Sequence, residues 1–516
     1  MAPPGEGSPI VALVVNGKVA TFDEEVGIHH DADIYIPDTE TGRNAQIEAI
    51  VPQGGSEPAG YAEAPRVRTE GVIYPGLIDL HNHLAYNYRS LWFAPRAEPY
   101  TSRDQWPRAT TYSAEITRPT VALGTAAAKA VLKFAEVKAG VGGVTSIQGS
   151  PATTRPYEGW LLRNIELETF GSGKDVIYQS VMNQDVEGLS GYAKHMDEGA
   201  AFIYHLAEGT RPELIREFED LEEAHCVRDL LIGIHASALH REEFDRWGPV
   251  GGSVVWSPFS NLWLYRDTTD VVSAAGAGLT VCLGSDWGPS GTKNVLGELK
   301  VAHLWNEKRM DRAFSDEQLC RMVTSNPGDA LGRAWGSRIG RIKPGLQADL
   351  MVTSERSSDA YENLIRSNER HVRLVMVGGR PFYGNRSLMA SAGATNLEPI
   401  HVAGIERSIS LIDPSLKDAD VTWAEVVAQI DAVLSRPTEA VERALSPTRG
   451  EPPLRLIPDM PGGEIARDIS SVRDLGPATM PTLDTLAHDD AFFDMLAVER
   501  APILDGLLDD LRSYFD

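Results

Sequence analysis

Cysteine is nearly absent: three residues in 516, at Cys226, Cys282 and Cys320. An odd set of widely spaced thiols excludes a disulfide framework and predicts reduced side chains in a cytoplasmic protein. No apolar run approaches the roughly 20 residues that a membrane span requires. The first residues lack a basic stretch leading into an apolar one, so no signal peptide is predicted. Basic charge is also short. With 48 Lys and Arg against 73 Asp and Glu, the net charge is −25, which excludes the basic footprint of a general nucleic-acid binder. The expected partner is a small molecule, mildly repelled if anionic unless the pocket corrects the field locally. What remains is a globular composition, 42% hydrophobic and 23% charged, with length enough for one large domain and accessories.

The order of elements predicts four parts. Residues 1–73 are strand-like, with a hairpin expected around Asn16-Gly17 because that dipeptide suits a tight turn. Residues 74–339 alternate short apolar strands with helical stretches, the pattern of a (β/α)8 TIM-like barrel. Residues 340–397 return to β-type sequence and are expected to join residues 1–73 in a flanking β-sandwich built from both ends of the core. Residues 398–516 form a helical extension, with amphipathic helices at 422–436 and 491–514 around a Pro-rich stretch at 447–461. It carries no recognisable chemistry and reads as a packing or homodimer-contact element.

The stretch Tyr74-Pro-Gly-Leu-Ile-Asp-Leu-His-Asn-His83 organises the chain. Alternation along a strand puts His81 and His83 on one side, with Asn82 opposite. With 13 histidines, such a triplet arises by chance about one time in three, so it is weak alone. Polar residues at other strand ends strengthen it: Gln148, His205, His235, Ser257 and Asp286, since barrel chemistry sits at the C-terminal ends of strands. His81, His83, His205 and Asp286 can hold one divalent ion, Zn2+ ahead of Fe2+ or Mn2+, and such an ion makes hydroxide available near neutral pH. Asp286 can accept a proton, Glu208 can carry one to a leaving nitrogen, and His235 can hydrogen-bond the attacking water. Each has a plainer alternative: Asp286 as a helix N-cap, Glu208 as a solvated helix start, His235 as a satisfied structural residue. The aromatic stretch after His83, including Tyr86, Tyr88, Trp92 and Trp106, reads equally as a pocket wall or as packing.

Taken together, Pro75 to His83, His205-Leu-Ala-Glu208, His235, Ser257-Pro-Phe-Ser-Asn261 and Ser285-Asp286 resemble the metal-dependent amidohydrolase superfamily. The branch is that of cytosine, guanine and adenosylhomocysteine deaminases, triazine hydrolases and imidazolonepropionase. The resemblance spans about residues 8–395, including Lys343-Pro-Gly-Leu-Gln-Ala-Asp349. It implies a hydrolase of a non-peptide C–N bond acting through a metal-activated hydroxide, by deamination of an aminated heterocycle or by hydrolysis of an amide, cyclic amide or carbamate. It assigns His81, His83, His205 and Asp286 to the metal, Glu208 to proton transfer and His235 to the nucleophilic water. Two departures stand out. Residues 177–182 contain no lysine, so a mononuclear site is expected. Trp256 and Ser257 occupy positions where the deaminases place a polar substrate contact, and with Trp263, Tyr265 and Trp287 they suggest a flatter, more apolar ligand. The competing reading is a non-catalytic scaffold on the same barrel, which the intact ligand set disfavours.

Overall fold

The structure is a computed structural model that describes residues 12–37, 44–94, 96, 98–446, 452–459, 469–478, 480, 483, 486–498 and 507–515. Eight strands form its centre: β1 (Leu77–Asp79), β2 (Val144–Ile147), β3 (Arg163–Asn164), β4 (Ile177–Ser180), β5 (Ala201–Leu206), β6 (Leu231–His235), β7 (Ser253–Trp256) and β8 (Thr280–Leu283). All bonded neighbours among them are parallel. Strands β1 to β3 make one arc and β4 to β8 another. A single parallel bridge, Asn82 to Asp286, ties the end of β1 to the end of β8. At the other seam β3 and β4 share no ladder. The strand order is that of the expected barrel, but the ring is not continuously hydrogen-bonded. Every residue of β1, β2, β5, β6 and β7 is buried, which is why these strands read as unbroken apolar runs rather than alternating ones.

The flanking β-domain differs from expectation in four ways. Instead of two separately bonded sheets, one nine-stranded sheet gathers both ends of the core, with Leu350–Thr353 antiparallel to Arg66–Pro75. Tyr74 and Pro75 belong to this sheet, so the boundary expected at 73/74 falls at Gly76. A Cβ there would lie 2.2 Å from Thr145 side-chain atoms, and only glycine lets the chain pass into β1 at this spacing. The sheet also continues past residue 397 through Glu398–Val402 and Ile405–Ile409, so the extension begins with a hairpin rather than a helix. Asn16-Gly17 is not a turn: the strand Leu13–Ala20 runs through it with a register shift against Ile28–Ile36. Asn16 Nδ2 donates to Asp31 and Asp33 at 2.9 Å each, which fixes the dipeptide inside the ladder.

The extension packs on its own chain. Thr422 caps the helix Trp423–Ser435 in a capping box with Glu425, and Val426, Ile430, Val433 and Leu434 form its buried stripe. The expected helix over 491–514 is two helices, Asp490–Val498 and Leu507–Phe515; residues 499–506 lie outside the described residues. Of the Pro-rich stretch, 452–459 is described, and Leu456–Ile457 pairs antiparallel with Ala152–Thr153 beside the barrel mouth. Among the described residues no helix is long and apolar enough to cross a membrane.

One ion pair pins the extension to the barrel. Asp418 accepts from Arg155 Nη1 at 3.0 Å and Nη2 at 2.8 Å. The Arg155 contact outweighs burial and holds the Asp418 carboxyl down at about 2. Because the folded value lies below the unfolded one, this stability is complete above about pH 4 and lost as pH falls toward 2. Asp418→Asn should therefore cost about 1–3 kcal/mol at pH 7 in a denaturant titration. The gap to wild type should close in acid, and equal midpoints at pH 7 would contradict the account.

Candidate metal centre

Four strand ends converge at one mouth. His81 and His83 follow β1, His205 lies in β5, His235 ends β6, and Asp286 follows β8. His205 Nε2 sits 3.1 Å from His81 Nε2 and 3.2 Å from His83 Nε2. Asp286 Oδ1 lies 3.4 Å from His81 Nε2 and 3.7 Å from His83 Nε2. All four side chains are buried. Close approach of β8 depends on Gly284, where a Cβ would fall 2.3 Å from His81 Cβ. His235 and Asp286 have φ of 64° and 59°, left-handed conformations that cost non-glycine residues roughly 1–2 kcal/mol each and that cluster at functional sites.

The second nitrogen of each ring fixes what the first can do. His81 Nδ1 lies 2.8 Å from Ser257 Oγ, and His83 Nδ1 lies 2.9 Å from Asp459 Oδ2. With protons on those Nδ1 atoms, both Nε2 atoms present bare lone pairs toward His205. Burial first, then the neighbouring imidazoles, push His81 and His205 well below the usual histidine range, so both rings are neutral. Burial works against charge on His83 too, but Asp459, with Asp286 and Glu208, carries it up to about 9. His235 differs from the other three. Asn261 Nδ2 donates to His235 Nδ1 at 3.0 Å, which puts the proton of a neutral ring on Nε2. Burial brings its pKa down to about 4. In its neutral form His235 thus offers the site a hydrogen-bond donor.

Imidazole nitrogens this close repel unless a proton or a metal cation lies between them. Tetrahedral binding at about 2.0–2.1 Å separates ligand nitrogens by roughly 3.3–3.4 Å, close to the spacing seen. The carboxylates agree, because Asp286 and Glu208 line this space and Asp459 backs His83 from its other nitrogen. The donor set fits one divalent ion. No lysine stands in β4 to bridge a second.

Around the centre is a small cavity of about 100 Å3. Glu208 and Asn183 line one side, with Trp106 and Trp287 on another, their ring centroids 5.0 Å apart. Glu208 Oε1 accepts from Tyr265 OH at 2.5 Å, and Oε2 lies 3.7 Å from His235 Nε2. Burial raises the Glu208 carboxyl, opposed by Arg103 and the Tyr265 bond. Burial likewise raises Asp286, whose Oδ2 accepts from Ser260 at 2.6 Å.

His81, His83, His205, Glu208, His235 and Asp286 thus meet at one mouth, but some neighbours were misjudged. Ser257 is bonded to His81 rather than turned to a ligand. Trp256 Nε1 donates to Thr268 and Trp263 Nε1 to the Trp92 carbonyl; neither indole lines the cavity. The aromatic stretch after His83 does both jobs expected of it: Trp106 faces the cavity, while Tyr86, Tyr88 and Trp92 pack in the core. Gln148 is a strut, bonded to the Asn82 backbone and to Glu166. Asp79 was missed. It is fully buried, accepts from Ser285 N at 2.9 Å and Asn82 Nδ2 at 3.1 Å, and thereby locks β1 to β8; a carboxylate inside an apolar strand was the available signal. Asp459 was missed too, and it corrects the reading of the extension as free of chemistry.

The amidohydrolase family model matches residues 168–382. A 5-methylthioadenosine/S-adenosylhomocysteine deaminase of Pyrococcus furiosus is 31% identical over 139 residues, 26% of this chain and 32% of that protein. The chain thus spans about a third of the length of this curated relative. Among solved structures, an adenosine deaminase from Xanthomonas campestris with bound zinc superposes with a TM-score of 0.55 at 18% identity, covering 74% of this chain and 97% of that one. A mutant atrazine chlorohydrolase from Arthrobacter aurescens TC1, complexed with zinc and atraton, gives 0.56 at 19% identity, covering 74% and 99%. At such identities the likeness is one of fold. The resemblance to the amidohydrolases is borne out.

Elemental analysis of protein purified without chelators should find about one divalent ion per chain. Asp286→Ala should lower that content and abolish turnover, and a metal-free wild type would contradict the assignment.

Proposed function

We propose that this chain, carrying the amidohydrolase match over residues 168–382, is a metal-dependent hydrolase of a non-peptide C–N bond, with His81, His83, His205 and Asp286 as the ligands of one divalent ion. The observation that carries the reading is the set of three neutral-capable imidazoles and one carboxylate closing on a common point beside the Glu208–Tyr265 pair. A cation held there supplies Lewis acidity and acidifies a water to a pKa of about 7; zinc suits three nitrogens and an oxygen.

The side chains divide the remaining work. Asp286, fixed by Ser260 and by the Trp287 backbone N–H at 2.7 Å, takes the proton of the attacking water. His235 donates from Nε2 to the oxygen that builds negative charge. Glu208, whose Oε1 is held by Tyr265, keeps Oε2 free to pass a proton to the substrate nitrogen. Burial of Glu208 raises its pKa and so favours the acid form that this step needs. Trp106 and Trp287 offer apolar walls to a flat ring.

Deamination of an aminated heterocycle is the favoured reaction within this class. It uses a proton donor beside the ring nitrogen, and it agrees with the deaminase among the curated relatives. Three buried free thiols support a reducing, cytoplasmic setting.

Metal-loaded protein should release ammonia from aminated heterocycles; turnover of amides or carbamates without ammonia would move the reaction to the other branch. Glu208→Gln should keep its metal and slow turnover roughly 10²–10⁴-fold. Full activity in that variant would remove Glu208 from the mechanism.

A further inference from the structure

The segment 452–459 of the extension lies along the loop that follows β2. Leu456–Ile457 pairs with Ala152–Thr153, Thr154 N donates to the Arg455 carbonyl at 3.1 Å, and Thr154 Oγ1 donates to the Pro453 carbonyl at 2.9 Å. Leu456 is buried and lies against Gly124, whose added Cβ would come within 3.2 Å of it. Two residues past this short ladder, Asp459 reaches His83. Its Oδ2 is 2.9 Å from His83 Nδ1, while Oδ1 is buried without a hydrogen-bond partner. A largely buried carboxylate with a single polar contact is costly to keep, and holding the His83 ring is the one task its surroundings give it.

We propose that Asp459 is a positioning residue for the metal centre: carried in by the extension, it accepts the His83 Nδ1 proton, fixes the ring and its tautomer, and directs the Nε2 lone pair at the cation. The inference rests on the metal-centre reading above. Ligating histidines commonly donate their second nitrogen to a carboxylate, and losing that partner weakens metal binding about 10–100-fold. Here the partner comes from sequence 376 residues away from His83, so the extension completes the site instead of merely packing on it. His81 has the Ser257 hydroxyl in the same role and His205 the Ser180 backbone, so among the described residues His83 is the ring of the three whose second nitrogen meets a carboxylate.

Competition against a chromogenic zinc chelator, on full-length protein, tests this. Asp459→Ala should bind zinc about 10–100-fold more weakly than wild type. Asp459→Asn, which keeps the shape and one acceptor but not the charge, should fall between them. Melting temperatures of the metal-free forms should coincide, and excess zinc should restore most of the turnover of the alanine variant. Zinc affinity in Asp459→Ala within twofold of wild type would overturn the proposal. So would a loss of affinity matched by a lower melting temperature in the metal-free form and not rescued by zinc. A wild type that binds no divalent ion would remove the metal centre itself, an outcome read from the unmodified protein alone.

Discussion

The crowding of three buried imidazoles is the constraint on which the rest of the centre depends. His205 Nε2 stands 3.1 Å from His81 Nε2 and 3.2 Å from His83 Nε2, so a proton or a metal cation must lie between them. Much of the surrounding structure serves to hold that arrangement. Asp79 crosslinks the ends of β1 and β8, the Asn82–Asp286 bridge closes the seam between them, and Gly284 leaves room for His81. The left-handed backbone at Asp286 turns its carboxylate inward. These features spend folding stability on geometry, as sites of chemistry do.

The electrostatics assign different duties to chemically identical side chains. Four histidines meet at the mouth, yet a hydroxyl stands at His81 Nδ1, a carboxylate at His83 Nδ1 and an amide N–H at His235 Nδ1. The amide makes neutral His235 a donor on the side facing Glu208. The two carboxylates divide similarly. Asp286 is tied at both oxygens, whereas Glu208 is tied at one and free at the other. In the proposed mechanism those hydrogen bonds, rather than residue type, suit Asp286 to a fixed position and Glu208 to proton transfer.

Much of this was legible in the sequence because strand periodicity and barrel order are local rules. Apolar runs ending in His83, His205, His235 and Asp286 could be placed at one mouth without knowing any distance. What escaped depended on long-range contact. Asn16-Gly17 has the composition of a turn, but Asp31 and Asp33 hold it within a strand. The apolar run after Tyr74 looked like one strand, yet Gly76 divides it between two sheets. Trp256 and Trp263 neighbour ligand-bearing strand ends in sequence but turn their indoles into the core. Asp459 sits in a Pro-rich stretch with no periodic signal, and only the pairing of Leu456–Ile457 with Ala152–Thr153 brings it to His83.

Anomalous X-ray diffraction from crystals of protein purified without chelators, collected on both sides of the zinc absorption edge, tests the central claim most directly. The account predicts one anomalous peak at the barrel mouth, bonded by the Nε2 atoms of His81, His83 and His205 and by the Asp286 carboxylate, with His235 outside bonding distance. A mouth with no peak, or with two metal ions sharing these ligands, would contradict it.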